Sequence, residues 1–169
     1  MILICYDGSE DARAALEQAA ELFPSQPATV VSVWELFTDV AARSSLGFGL
    51  VPSFPDDEEI DKASRNRAEQ LAQEGAELAR RAGLEAEPAT AQQVTTTGRA
   101  ILAEAERSGA AAIVLGSRGL TGVKSLLLGS VSHEVIQHAD RTVVVVPSAS
   151  VAASRARGIR KEVEAQAES

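Results

Sequence analysis

Short apolar runs alternate along the chain with longer stretches in which apolar residues recur every three or four positions. The first run, Ile2–Cys5, predicts a strand. Ser9 then caps a helix whose first turn carries Glu10 and Asp11, where carboxylates suit the positive end of the helix dipole. Ala12, Ala15, Leu16, Ala19, Ala20 and Phe23 follow at helical spacing, and Pro24 ends the run. Ala28–Trp34 predicts a second strand. From Glu35 to Pro55 the period is lost, and Gly47, Gly49, Pro52 and Pro55 punctuate the segment. Asp56 or Asp57 starts a long second helix with an apolar stripe through Ile60, Leu71, Ala72, Gly75, Leu78 and Ala79, and Gly83 stops it. Leu84–Val94 holds a weaker strand. Thr97 and Gly98 open a helix with Ile101, Leu102 and Ala105 facing inward, and Ala111–Leu115 is a fourth strand. A Gly-rich loop, a helix near Ser130–His138 and the β-branched strand Thr142–Val146 complete the pattern. That last run suggests a strand covered on both faces.

Strands that alternate with helices pair in parallel through right-handed crossovers. Five of them predict an α/β three-layer sandwich of the flavodoxin-like sort, with strand order 3-2-1-4-5. In that order the topological switch point falls between the first and fourth strands, and ligands bind there at the carboxyl ends.

Composition narrows the picture. The chain has 169 residues, a single-domain length, and 45% hydrophobic against 24% charged residues, near the globular average. Aromatics are 4%, so the core must come from Val, Leu, Ile and Ala. A net charge of −8 argues against nonspecific nucleic-acid binding, which relies on cationic side chains. No apolar stretch approaches a membrane span, and the first residues lack the basic start and long apolar run of a signal peptide. The single cysteine, Cys5, excludes an internal disulfide and fits a reducing compartment. The expectation is a soluble cytoplasmic protein with no membrane partner.

Two features fall at the switch point. Asp7 lies just past the first strand, and Gly116 just past the fourth. The segment from Gly116 reads Gly-Ser-Arg-Gly119, then nine residues, then Gly129-Ser130. Gly116 and Gly119 permit sharp turning and close approach to a ligand. Gly129 and Ser130 begin a helix whose free N–H groups and dipole make an anion site, with the hydroxyls of Ser130 and Ser132 as further donors. Taken one by one, these residues are turn glycines and a helix cap. Together at a switch point they predict a phosphate loop.

The spacing Gly116, Gly119, Gly129, Ser130 matches G-x2-G-x9-G-[S/T], and on it the sequence resembles the ATP-binding branch of the universal stress protein family. Asp7-Gly8-Ser9, the strand end Ser32-Val33, the run Ala112–Gly119 and the closing Thr142–Pro147 are similar too. The resemblance covers residues 1–147 and leaves a charged extension, 148–169, expected to be flexible or helical. It implies that Asp7 hydrogen-bonds the ribose or the adenine edge, that Val33 meets adenine through its backbone, and that Leu115 packs nearby. Gly116, Arg118 and Gly119 would line the ribose and phosphate path, and Gly129, Ser130, Val131 and Ser132 would hold the phosphates. ATP is the implied ligand, with AMP or cyclic AMP as alternatives and Mg²⁺ or Mn²⁺ accompanying a triphosphate. A homodimer paired through Thr142–Val146 is implied as well.

The leading functional expectation is therefore a nucleotide-binding sensor or regulator. A slow ATPase or phosphotransferase is the alternative from another class. The Gly116–Ser132 segment contains no carboxylate to orient a nucleophile, so weak hydrolysis is the most it suggests. A nucleotide-free scaffold is the third reading, which the intact glycines oppose. His133 and His138 are five apart with no third ligand nearby in sequence, which is not a zinc pattern. Lys124-Ser125 lacks the preceding P-loop spacing. Cys5 reads as a small core residue. The segment Glu35–Pro55, with Phe48 and Phe54, is read either as a lid or as a solvated loop.

Overall fold

A computed structural model of the protein describes residues 1–37, 57–119 and 128–157. Expectations that fall on the remaining residues, among them Phe48, Phe54, Asp56 and Lys124, lie outside the described residues. The strands are β1 (Ile2–Cys5), β2 (Pro27–Glu35), β3 (Glu85–Gln93), β4 (Ala112–Gly116) and β5 (Thr142–Val146). They form one parallel sheet in the order β3-β2-β1-β4-β5, as the alternation predicts. The helices between them are α1 (Glu10–Leu22), α2 (Asp57–Arg81), α3 (Thr97–Ser108) and α4 (Ser130–His138). A fifth, α5, covers 149–157.

The two-residue period of a strand splits the sheet into two apolar faces. Ile2, Ile4 and Tyr6, with Ala28, Val30, Ala112, Val114 and Val146, face α1 and α2. Leu3, Val31, Ile113 and Leu115 face the other way, onto Ile101 and Ala105 of α3 and Val135 of α4. This three-layer packing positions the carboxyl ends of β1 and β4 side by side, because β1 pairs with β4 from Ile2↔Ala112 to Ile4↔Val114.

Local chemistry fixes the ends of the helices. Ser9 accepts the Ala12 N–H at 3.2 Å and caps α1. Gly83, at φ +96°, stops α2 in a left-handed conformation that other residues rarely adopt. Along α2 the buried residues are Ala68, Ala72, Gly75, Ala76 and Ala79, whereas Ile60 is exposed. The expected stripe therefore holds only over the later turns, which lie against β2 and β3. Gly75 lets the helix approach closely: a Cβ there would lie 2.8 Å from Val30 and 2.9 Å from the Tyr6 ring.

The weak strand signal of Glu85–Gln93 has its reason in position. Among the described residues β3 is an edge strand, paired only with β2, so it needs no continuous apolar run and tolerates Pro88. β5 is the opposite edge. The expectation of a fully covered strand holds only at Val146. Val143, Val144 and Val145 are half-buried and Thr142 is exposed.

Candidate functional site

The loops leaving β1 and β4 meet at the switch point. Gly119 lies against Asp7: a Cβ added at Gly119 would be 2.8 Å from Asp7 Oδ2. The other carboxylate oxygen, Oδ1, accepts the Ser9 N–H at 3.0 Å, which fixes the Asp7 side chain at the mouth of the crevice. Gly116 is tighter still. A Cβ there would lie 2.8 Å from the Asp11 carbonyl carbon and 2.9 Å from the Ala12 nitrogen. None of Gly116, Gly119 and Gly129 has a positive φ. Gly116 is thus required by the room between chain segments and not by a left-handed backbone, Gly119 is crowded by a side chain, and a Cβ at Gly129 would make ordinary contacts of 3.4 Å or more. In the Cβ direction Gly116 faces the α1 backbone and Gly119 the Asp7 side chain.

The start of α4 is tied to the same place. The Gly129 N–H donates to the Ser117 carbonyl at 2.8 Å, and the Ser132 hydroxyl donates to Ser117 O at 3.0 Å and to Gly129 O at 3.1 Å. The Ser132 hydroxyl is therefore turned into the loop, where its proton is engaged by backbone carbonyls. The backbone N–H groups of Ser130, Val131 and Ser132 meet no acceptor among the described residues, and the N-cap, Gly129, has no side chain to offer one. Three unmatched donors at the positive end of a nine-residue helix form an anion-receptive surface. The Ser130 side chain is exposed beside them. Arg118 spends its backbone N–H on Asp11 at 3.1 Å, but its guanidinium pairs with no carboxylate among the described residues.

The apolar wall of the crevice comes from the strand ends on the α3–α4 side. Cys5, Val33 and Val131 are partly buried and pack against the second core cluster, in which Leu115 lies almost wholly buried. Leu115 contributes packing beneath this wall. Cys5 reaches solvent in part, yet burial, with the nearby Asp7 charge, pushes its thiol up to about 12. A shallow depression of about 380 Å³ lies at the opposite, amino end of the sheet, against Met1, Phe23 and Ala111. It presents no charged side chain, so the polar groups converge at the carboxyl end.

Sequence reasoning missed Asp11. A carboxylate in a first helical turn reads as a partner of the helix dipole. In the structure Asp11 is 6% exposed, and Oδ2 accepts the Ser117 hydroxyl at 2.7 Å as well as the Arg118 N–H. Burial alone would raise its pKa, but the hydrogen bonds from Ser117 and from Ser148, and the Arg118 cation, hold it below the ordinary carboxylate value. A signal was available: Asp11 stands at the i−4 and i−8 positions of the buried stripe Ala15, Ala19, where a charged residue needs partners.

A parallel five-stranded sheet in the order β3-β2-β1-β4-β5, with its switch point between β1 and β4, defines the class: a doubly wound α/β domain of the flavodoxin-like sort. Comparison with known proteins makes this specific. The model of the universal stress protein family matches residues 1–147, and the chain belongs to that family. The universal stress protein YxiE of Bacillus subtilis (strain 168) is 33% identical over 146 residues, covering 86% of this chain and 97% of that protein. Solved structures share the fold. MJ0577 superposes with a TM-score of 0.68 at 22% identity, over 86% of this chain and 94% of its own. The universal stress protein of Archaeoglobus fulgidus in complex with dAMP gives 0.53 at 21% identity, over 86% and 95%. The family member from Arabidopsis thaliana with AMP bound gives 0.57 at 16% identity, over 86% and 90%.

Proposed function

We propose that this protein binds an adenine nucleotide, ATP by preference, at the β1–β4 switch point and acts as a sensor or regulator in a stress response. The observation that carries the reading is the trio of unmatched N–H groups at Ser130, Val131 and Ser132, tied through Gly129 to the loop that touches Asp7. Phosphate oxygens are suited to these donors, and the Arg118 guanidinium adds charge. Asp7 at the crevice mouth offers acceptors to ribose hydroxyls or to the adenine edge. Cys5, Val33 and Val131 offer the apolar surface a purine needs. The dAMP and AMP complexes of two structural neighbours support the same ligand class.

The residues present fit a triphosphate with its divalent ion. Mg²⁺ binds through phosphate oxygens, waters and one or two carboxylates, and Asp7 is a carboxylate beside the phosphate path. When bound, Mg²⁺ or Mn²⁺ would neutralise phosphate charge. The protein's own part is to bind and orient, since Asp11 is already engaged by the loop. Slow hydrolysis is compatible with this; efficient turnover is not expected.

Output through a homodimer fits β5, whose outer edge pairs with no other strand among the described residues and which carries half-buried valines at 143–145. Residues 1–147 form the stress-protein domain and 148–169 an extension. No helix among the described residues is long and apolar enough to cross a membrane, and the working location is the cytoplasm.

Mass spectrometry of small molecules released from the purified, denatured protein tests occupancy and identity together. Isothermal titration with ATP, ADP, AMP and cyclic AMP then ranks the ligands. Silence with all four supports the scaffold reading, and turnover faster than roughly one per second supports the enzyme reading.

A further inference from the structure

We infer that Asp11 is a positioning residue for the proposed site: its buried carboxylate shapes the loop after β4 and thereby aims the start of α4 at phosphate. The inference rests on the nucleotide reading. It assigns a role to a residue outside the glycine pattern, on α1.

The connections form one chain of contacts. Asp11 Oδ2 takes the Ser117 hydroxyl at 2.7 Å and the Arg118 N–H at 3.1 Å. Ser117 is fully buried and is held from three further directions. Its N–H donates to Val146 O at 2.8 Å, and its carbonyl accepts both the Gly129 N–H and the Ser132 hydroxyl. Gly129 is the residue immediately before the three open N–H groups. Asp11 therefore fixes Ser117, Ser117 fixes Gly129, and Gly129 sets the first turn of α4. The first turn of α1 cannot slide relative to this network, because Gly116 leaves no room for even a methyl group against it. A buried carboxylate without donors is costly, so the interaction also opposes rearrangement of the loop. With Arg118's N–H committed to Asp11, its guanidinium leaves from a defined backbone position.

The test uses the full chain with Asp11→Ala, Asp11→Asn and Ser117→Ala. Titration with ATP and with adenosine is paired with amide hydrogen exchange of the ligand-free proteins over 117–119 and 129–132. The expected results are an ATP affinity about tenfold weaker in Asp11→Ala, reflecting the lost hydrogen bonds to a charged group, and adenosine binding unchanged. Asp11→Asn recovers part of the loss, since its amide oxygen can accept the Ser117 and Arg118 bonds but the amide offers one acceptor fewer to Ser148. Exchange over 117–119 is faster in Asp11→Ala. A residue of purely structural importance would not separate ATP from adenosine or be rescued by Asn. ATP binding and loop exchange in Asp11→Ala equal to those of the wild type would overturn the inference. Should Asp11→Ala not fold, Ser117→Ala, which keeps the carboxylate, carries the same two readouts. If the wild type binds no adenine nucleotide, the nucleotide reading alone has failed. Exchange then decides the loop-shaping role: faster exchange upholds it, and unchanged exchange removes it.

Discussion

Replacing Ser130 by proline isolates one backbone donor. Ser130 is the first residue of α4, and its N–H has no acceptor among the described residues. Proline is favoured at this position, because the N–H it lacks has no partner within the helix. Proline also constrains the residue before it to an extended conformation with ψ near +120° to +160°. Gly129 already has φ −71° and ψ 160°. The His133 N–H bond to Gly129 O, 2.9 Å, is untouched. Stability should therefore change by no more than about 0.5 kcal/mol. Binding should suffer more. A hydrogen bond to a charged group is worth about 1.5–3 kcal/mol, which is about ten- to a hundred-fold in affinity. Ser130→Ala serves as the reference, since both variants lose the hydroxyl and only proline loses the N–H. The assay is titration of both with ATP and with adenosine. ATP should bind Ser130→Pro at least about tenfold more weakly than Ser130→Ala, and adenosine should not distinguish them. Equal ATP affinity in the two variants, both folded, would refute the assignment of this N–H to phosphate.

Three further outcomes are expected. Gly116→Ala places a methyl group 2.8 Å from the α1 backbone, which cannot turn aside as a side chain can; chemical denaturation should show a loss of about 1–3 kcal/mol or more. Cys5, with its thiol pushed up to about 12, should resist iodoacetamide at pH 8 in the native protein and react readily once unfolded, and rapid native labelling would contradict its placement. Asp11 and Asp140 are both lowered in the folded protein: Asp11 by the bonds and the cation that outweigh its burial, Asp140 chiefly by its hydrogen bond from Arg141. Groups with depressed folded values stabilise fully above the ordinary carboxylate value near 4 and lose that contribution as pH falls through the folded value. Denaturation midpoints should thus be flat from pH 7 to about 5 and fall below about 4, with a shallower fall in Asp11→Asn.

The sequence by itself determined the layers, the strand order and the place of the crevice. Continuous apolar runs such as Ile2–Cys5 and helical stripes such as Ala12–Ala19 report burial directly, and alternating strands and helices leave few chain paths. The caps were legible for the same local reason: Ser9 and Gly83 act on backbone groups within a few residues. What the glycines are for was decided only in three dimensions. Gly116 and Gly119 match a ligand-binding spacing, yet the atoms beside them belong to Asp11, Ala12 and Asp7, more than a hundred positions away in the chain. The role of Asp11 was hidden likewise, because its partners Ser117 and Arg118 become neighbours only when β1 pairs with β4. The place of β5 at the sheet's edge among the described residues was unreadable for another reason. A valine run reports only that apolar surface is to be covered, and whether this chain or a second copy covers it depends on where the sheet ends.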